Sequence, residues 1–418
     1  MSNTNPKVLS IILAGGEGKR MMPLTRDRAK PAVPFGGVYR LIDFPISNLV
    51  NSGLLSIIVL SQYKSHSLNK HISQTWQLNS ALKDFITPVP AQQRTGSNWY
   101  MGSADAIYQC MHIIEDEQPD IIIVVGADHV YRMDFSQLVE SHIASGAEFS
   151  VAGIRQRIDL ASEFGVIEID PNNPTRIERF VEKPENPRAV PDNPGEALCS
   201  MGNYIANTDA FVEFLKLDAQ NENSAHDMGG DAVPYFVSRG QAGYYDFSQN
   251  QVRGALDRDR GYWRDVGSID SYYEANMDLI SMNPVFNLYN MEWPLINAAN
   301  HLPPAKFVHG GKDDPNRVGT AVDSIISEGT IISGGSVNKS ILSTCVKVHS
   351  YARVEESIIL NSCVIGQHAV VKRAVLDKNV EIGEGVQIGV DHDRDRERGL
   401  HVTESGITVI TKGTKILD

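Results

Sequence analysis

Through the first half of the chain, short apolar runs alternate with stretches of helical period. Val8 to Ala14 is continuous and β-branched, the pattern of a buried strand. Pro45, in Leu41-Ile42-Asp43-Phe44-Pro45, suits the first turn of a helix that Gly53 ends. The pattern then predicts strands at Ser56–Gln62, Ile121–Gly126 and Phe149–Ile154, with helices near 65–77, 103–117 and 134–145. This alternation implies an α/β fold, a Rossmann-like, mostly parallel sheet covered on both faces, with ligands beyond the carboxyl ends of its strands. From Gly165 the strands become shorter and alternating (Val166–Ile169, Ile177–Val181, Leu198–Ile205), as in an insertion that builds a second wall for a pocket. A helix is predicted over 268–282.

Residues 283–320 hold five prolines and little periodicity, and read as a connector. Beyond them aliphatic residues recur every six positions: Ile325 and Ile331; Val348 and Val354; Ile359, Ile365 and Val371; then, after a step of five, Leu376, Ile382 and Ile388. A fixed six-residue step disfavours a two-sheet sandwich and predicts a left-handed parallel β-helix, each hexapeptide forming one side of a triangular coil. The expected division is therefore a domain over 1–283, a linker over 284–320 and a β-helix over 321–418.

Composition narrows the function classes. The 418 residues, 42% hydrophobic and 21% charged, suit a globular protein of more than one domain. A net charge of -13 argues against a general nucleic-acid binder, though not against binding one nucleotide. The N-terminal MSNTNPK has no apolar signal region, and no apolar run reaches the roughly 18 residues of a membrane span, so no membrane partner is expected and the cytoplasm is the expected location. Cys110, Cys199, Cys345 and Cys363 are scattered without a C-x-x-C pair, and His66 and His71 stand five apart, off the spacing of a helical metal pair.

The chemistry concentrates after the first strand. Leu13 and Ala14 end it, Gly15, Gly16 and Gly18 form a loop that a ligand can approach closely, and Arg20 and Lys30 follow. Amides and fixed cations at a strand end suit a polyphosphate, although the loop lacks the third glycine of a dinucleotide fingerprint and the Gly-Lys-Ser/Thr of a P-loop. Asp128, in Gly126-Ala127-Asp128-His129, ends another strand and reads either as a ligand for a hard cation such as Mg2+ or as a turn aspartate. Asp265 in Gly261–Gly267 is a second such carboxylate. Ser103 reads as a helix cap, Tyr100 as a binding or packing aromatic, and Lys183 as a phosphate anchor or a surface lysine.

Taken whole, the strings LAGGEGKR, PLT and RAKPAVPFGG (Arg28 to Gly37) resemble the sugar-nucleotide pyrophosphorylases, and within them the bacterial ADP-glucose pyrophosphorylase family. PAQQR, WYMGSADA, GADHVY, VEKP, SMGNY, HDMGGD, YWRDVG, LPPAKF and the hexapeptide tail carry the resemblance through nearly the whole chain. It implies transfer of the adenylyl group of ATP to glucose 1-phosphate, giving ADP-glucose and pyrophosphate for glycogen synthesis. It assigns catalysis to Arg20, Lys30 and Asp128, and Mg2+ to Asp128 and Asp265. The nucleotide falls to Leu13, Ala14, Gly15, Gly16, Gln93, Gly102, Ser103 and Asp105; Ser103 stands where the family often has threonine. Glucose 1-phosphate falls to Tyr100, Gly165, Glu182, Lys183 and Ser200. A homotetramer under sugar-phosphate control is also implied, with Arg28, Arg40 and Arg373 as effector contacts. Asp27, Pro34 and Asp116 depart from the branch activated by fructose 1,6-bisphosphate, and a carboxylate at 27 would repel that ligand, so another phosphorylated sugar is expected.

Three rivals remain at this level. A non-catalytic regulatory subunit would be expected to have lost one of Arg20, Lys30, Asp128 or Lys183, and all four are present. An acetyltransferase role for the β-helix would need more regular hexapeptides than the tail offers. A pyrophosphorylase using another nucleotide is nearest, because these residues do not encode the base.

Overall fold

The computed structural model describes residues 6–78, 84–92, 99–298 and 301–418. Its N-terminal module contains strands β1 (Val8–Ala14), β2 (Pro34–Phe35), β3 (Tyr39–Arg40), β4 (Ser56–Ser61), β5 (Phe85–Pro90), β6 (Ile121–Gly126), β7 (His129–Tyr131), β8 (Phe149–Arg157), β9 (Gly165–Asp170), β10 (Asn173–Glu182), β11 (Glu196–Asn207), β12 (Ala242–Asp246) and β13 (Trp263–Asp265). Helices α1 (Asp43–Asn51), α2 (His66–Thr75), α3 (Ser103–Tyr108), α4 (Met111–Glu117), α5 (Phe135–Ser145), α6 (Thr208–Asp218), α7 (Val233–Ser238) and α8 (Ile269–Asp278) pack around them.

Nine strands form one twisted sheet in the order β5-β4-β1-β6-β11-β8-β12-β10-β9. Alternate residues of its parallel strands enter different cores. Leu9, Ile11, Ile58, Ile122 and Val124 meet Ile107, Phe211 and Phe236 on one face. Ile12, Ile57, Val59, Ile123 and Val125 meet Ile46, Leu68 and Leu138 on the other. This double burial is why the strands read as unbroken apolar runs.

The sheet is mixed rather than mostly parallel. Parallel pairing joins β5, β4, β1 and β6, and β12 with β8, whereas β11 runs antiparallel to both β6 and β8, and β10 is antiparallel to its neighbours. Long β11 thus seams the nucleotide half to the inserted half. The helix expected over 103–117 is two helices, because the backbone at Cys110 leaves helical geometry.

In the C-terminal module three sheets of six, five and six strands wrap a β-helix, parallel throughout except where His401–Val402 pairs antiparallel with Thr408–Ile410. Coils repeat at a separation of 17 residues, stacking Val337, Val354, Val371 and Ile388 on one side and Val348, Ile365 and Ile382 on the next. Lys306–Val308, within the segment expected as a connector, pairs in parallel with Ile331–Ser333. In that first coil the inward frame lies one residue later than the sequence suggests. Ile332 is fully buried and Ile326 packs inward, while Ile331 is exposed and Ile325 sits in the row of Ile341, outside the coil.

That outer row fixes the two modules together. Ile341, Ile358, Val375 and Val409 share a core with Met21, Leu24, Phe35, Phe44, Val130 and Tyr272. Arg28 donates to both oxygens of Asp377 at 2.9 Å, with both side chains buried. The β-helix therefore leans on the segment that leads from the glycine loop to β3.

Candidate active site

The parallel register brings the carboxyl ends of β1 and β6 to one edge, with Leu13 opposite Gly126. Leu13 is half-buried, Ala14 is buried, Gly15 is half-buried and Gly16 is exposed. A Cβ at Gly16 would meet nothing within 4 Å, so neighbouring protein does not demand glycine there. The loop turns back through left-handed Gly18, whose carbonyl accepts from Thr25 Oγ1 at 2.8 Å and whose Cα lies against Lys30.

Three expected residues converge here from distant parts of the chain. β13 pairs antiparallel with β7 and sets Asp265 opposite His129, beside Asp128. Lys30 Nζ lies 2.8 Å from Asp128 Oδ2 and 3.7 Å from Asp265 Oδ1. Burial pulls the lysine's pKa down, but Asp128 and Asp265 outweigh it and hold the ammonium above the ordinary lysine value. Burial likewise pushes Asp128 up, and Lys30 followed by His129 more than reverses this, so its carboxyl sits well below the usual carboxylate range. Lys30 and Asp128 are thus both ionised at neutral pH.

His129 was not singled out by the sequence. Its Nε2 is 3.5 Å from Asp128 and 3.8 Å from Asp265, and its ring packs 4.8 Å from that of Trp263. Asp128, His129 and Asp265 offer ligand atoms within 4.8 Å of one another. Two carboxylates spaced in this way, with an ammonium beside them, fit a hard divalent cation that would complete its shell with phosphate oxygens and water.

Arg20 stands at the edge of this group. Its guanidinium is mostly exposed and bonds Glu163 at 2.7 Å, another residue the sequence did not single out, and it also lies near Asp265 across Gly267. From Glu163 the chain of contacts runs on. Phe164 stacks edge-on against Trp263, and Gly165 follows, where a Cβ would lie 2.2 Å from Phe180 and 2.8 Å from Glu182 Oε2. Gly165 is therefore glycine because Phe180 and Glu182 cross over it.

Glu182 ion-pairs with Lys183 at 3.1 Å, and the lysine is mostly exposed. Buried Ser200 accepts from Gly202 N at 3.2 Å inside an irregularity of β11 between Ser200 and Asn203. The bulge brings Gly202 beside His129 and so links β11 to the carboxylates.

The remaining expected residues lie around α3. Ser103 donates to Asp227 and accepts from Met228 N, both at 2.7 Å. A Cβ on Gly102 would lie 2.2 Å from the His226 carbonyl oxygen, so only glycine fits. Buried Asp105 is engaged locally, accepting from Met101 N and the Gln109 side chain. Tyr100 is half-buried against the core with its hydroxyl 3.6 Å from Cys110 Sγ, and burial raises the pKa of its phenol. Gln93 lies outside the described residues.

The expected effector arginines do not form one group. Arg28 is committed to Asp377; Arg40 bonds the Ser67 carbonyl at 2.8 Å and lies near Lys378. Arg373 is elsewhere, its guanidinium 5.7 Å over Tyr273 and bonded to the Ser405 carbonyl. Among the described residues no helix is long and apolar enough to cross a membrane.

Comparison with known proteins agrees with this geometry. Residues 9–282 match the Nucleotidyl transferase family, and residues 303–410 match the GlmU-like C-terminal hexapeptide family. The chain is 59% identical over 418 residues, all of both chains, to a protein of Bifidobacterium animalis subsp. lactis named glucose-1-phosphate adenylyltransferase. Proteins of the same name from Bifidobacterium adolescentis (58% over 414 residues, 99% of each chain) and Frankia casuarinae (54% over 414 residues, 99% of this chain and 100% of the relative) are similar throughout.

Proposed function

Because the chain belongs to the glucose-1-phosphate adenylyltransferases of the nucleotidyl transferase family, we propose that it makes ADP-glucose and pyrophosphate from ATP and glucose 1-phosphate at the cleft around Lys30, Asp128 and Asp265. The observation that carries this is the position of the Lys30 ammonium, held by two carboxylates at the strand edge where the glycine loop opens.

A phosphate oxygen of glucose 1-phosphate attacks the α-phosphorus of ATP. The new P–O bond forms as the bond from the α-phosphorus to the bridging oxygen breaks, and that oxygen leaves on pyrophosphate. The nucleophile is already an anion, so no side chain has to accept a proton. What the protein supplies is alignment and neutralisation of charge. Lys30 is positioned to exchange a carboxylate for a phosphate oxygen, and Arg20, mostly exposed and bonded to exposed Glu163, would swing onto the leaving group. Glu182 and Ser200 would hold the sugar, Lys183 its phosphate, and Gly15, Gly16 and the Gly102–Ser103 turn the nucleotide. Asp128 and Asp265, with His129 adjacent, would hold Mg2+, which when bound screens the phosphates from the carboxylates and from one another. Control by a phosphorylated sugar belongs to the same reading and is supported by the basic group of Arg40, Lys378 and Lys412 at the junction of the modules.

The test is Asp128→Asn. It should lower kcat by about 10²-fold or more while leaving the circular dichroism spectrum unchanged. Near-normal turnover would remove Asp128 from the mechanism.

A further inference from the structure

The sequence stretch HDMGGD has no role in the reaction as described, yet it joins the two halves of the cleft. Behind it is a buried acid–imidazole pair. Asp218, the last residue of α6, takes His226 Nδ1 at 2.8 Å on one oxygen and Ser224 Oγ at 2.6 Å on the other. Ser224 Oγ in turn accepts from His226 N at 2.9 Å. Both ring and carboxylate are more than nine-tenths buried. His226 holds a left-handed backbone (φ 54°), a conformation that a non-glycine residue keeps only when its surroundings enforce it.

The consequence of that conformation is where the next atoms point. The His226 carbonyl accepts from Ala104 N at 2.8 Å and crowds Gly102 so closely that no side chain fits. Asp227 then accepts from Ser103 Oγ at 2.7 Å and from Gly229 N and Gly230 N at 2.9 Å each. Gly229 comes up against Glu182, whose Oε2 would be 2.6 Å from a Cβ there. One turn therefore touches Ser103 on the nucleotide side and Glu182 on the sugar side, and its direction is set by the Asp218–His226 pair.

We propose that Asp218 and His226 are positioning residues that fix the 226–230 turn between the Gly102–Ser103 turn and Glu182, so that the two substrate subsites keep one spacing. This rests on the assignment of those two places to ATP and to glucose 1-phosphate. Neither residue touches a reacting atom; both act through the peptide groups they orient.

The experiment is steady-state kinetics of the full-length protein with each substrate varied, for wild type, His226→Ala, His226→Asn, His226→Gln and Asp218→Asn. Asparagine places an amide nitrogen near the Nδ1 position and tolerates the left-handed backbone; glutamine reaches too far and does not. His226→Ala and His226→Gln should raise KM for both glucose 1-phosphate and ATP by about fivefold or more, Asp218→Asn should shift them in the same direction, and His226→Asn should stay within about twofold of wild type. A merely structural role would lower the melting temperature and the active fraction, but KM does not depend on how much enzyme is active. Wild-type KM values in His226→Gln, or equal shifts in the asparagine and glutamine variants, would overturn the proposal. If His226→Ala is insoluble, the asparagine and glutamine pair decides alone. A wild-type protein that forms no pyrophosphate from these substrates would instead overturn the reading of the cleft itself.

Discussion

Lys183 shows what a single residue position predicts. It follows β10, mostly exposed, and among the described residues its ion pair is with Glu182. The phosphate it would bind is anionic before and after the attack, so Lys183→Gln should raise KM for glucose 1-phosphate by about tenfold or more with little change in kcat. A selective loss of kcat at constant KM would contradict its role. At this scale the sequence revealed the actors better than their partners. Lys30 stood out as a cation after the glycine loop and Asp128 as a carboxylate at a strand end, whereas Asp265 was joined to them by resemblance alone. Their companions did not, because pairing across the chain leaves no local mark: Glu163 meets Arg20 from 143 residues away, and Asp377 meets Arg28 from 349. His129 could have been noticed, since a residue beside a strand-end carboxylate is placed against the same partner strand.

At the scale of elements, the apolar pattern gives faces and periods but not directions. The unbroken runs of β1, β4 and β6 led to a parallel sheet; nothing in β11 marks it as antiparallel, since a strand buried on both faces looks the same in either direction. The six-residue step identified the β-helix, and its step of five, Val371 to Leu376, falls at the same corner as Val354 to Ile359 in the coil before. In the first coil the frame was misread by one residue because Ile325 and Ile331 are as aliphatic as the buried Ile326 and Ile332 beside them. The outer isoleucine at 325 is retained by packing against the N-terminal module, a reason outside the coil itself. The element-level prediction concerns the contact between these modules. Asp377→Ala would strand the Arg28 guanidinium in a buried site and should cost about 3–5 kcal/mol, whereas replacing both members with apolar residues of similar volume should cost much less. Thermal melts of the single and double variants measure this; equal losses would mean that the pair contributes only packing.

The whole molecule adds charge where the two modules meet. Lys378 follows Asp377 on the β-helix, and burial, reinforced by Arg40 and Arg28, lowers its pKa to about 8. In the unfolded chain the same lysine would titrate at about 10.4, so across the intervening pH range the unfolded state binds more protons and stability contributed by this site rises with pH. Below pH 8 the folded protein carries the full penalty of a buried, repelled ammonium. Lys378→Met should therefore raise the melting temperature at pH 7 and lose that advantage near pH 10.5. A benefit equal at both pH values would show that the lysine is neutral throughout or that the gain is apolar packing alone.

The central claim is that this cleft joins an adenylyl group to glucose 1-phosphate, and product formation tests it most directly. Purified protein would be given glucose 1-phosphate, Mg2+ and ATP, UTP, dTTP or GTP separately, with pyrophosphate and the sugar nucleotide both measured. The account predicts equimolar pyrophosphate and ADP-glucose with ATP, and at least about tenfold lower kcat/KM with the other three. Comparable or faster turnover with another nucleotide would contradict the adenylyl assignment, and no product in any reaction would contradict the catalytic role of the Lys30, Asp128 and Asp265 group.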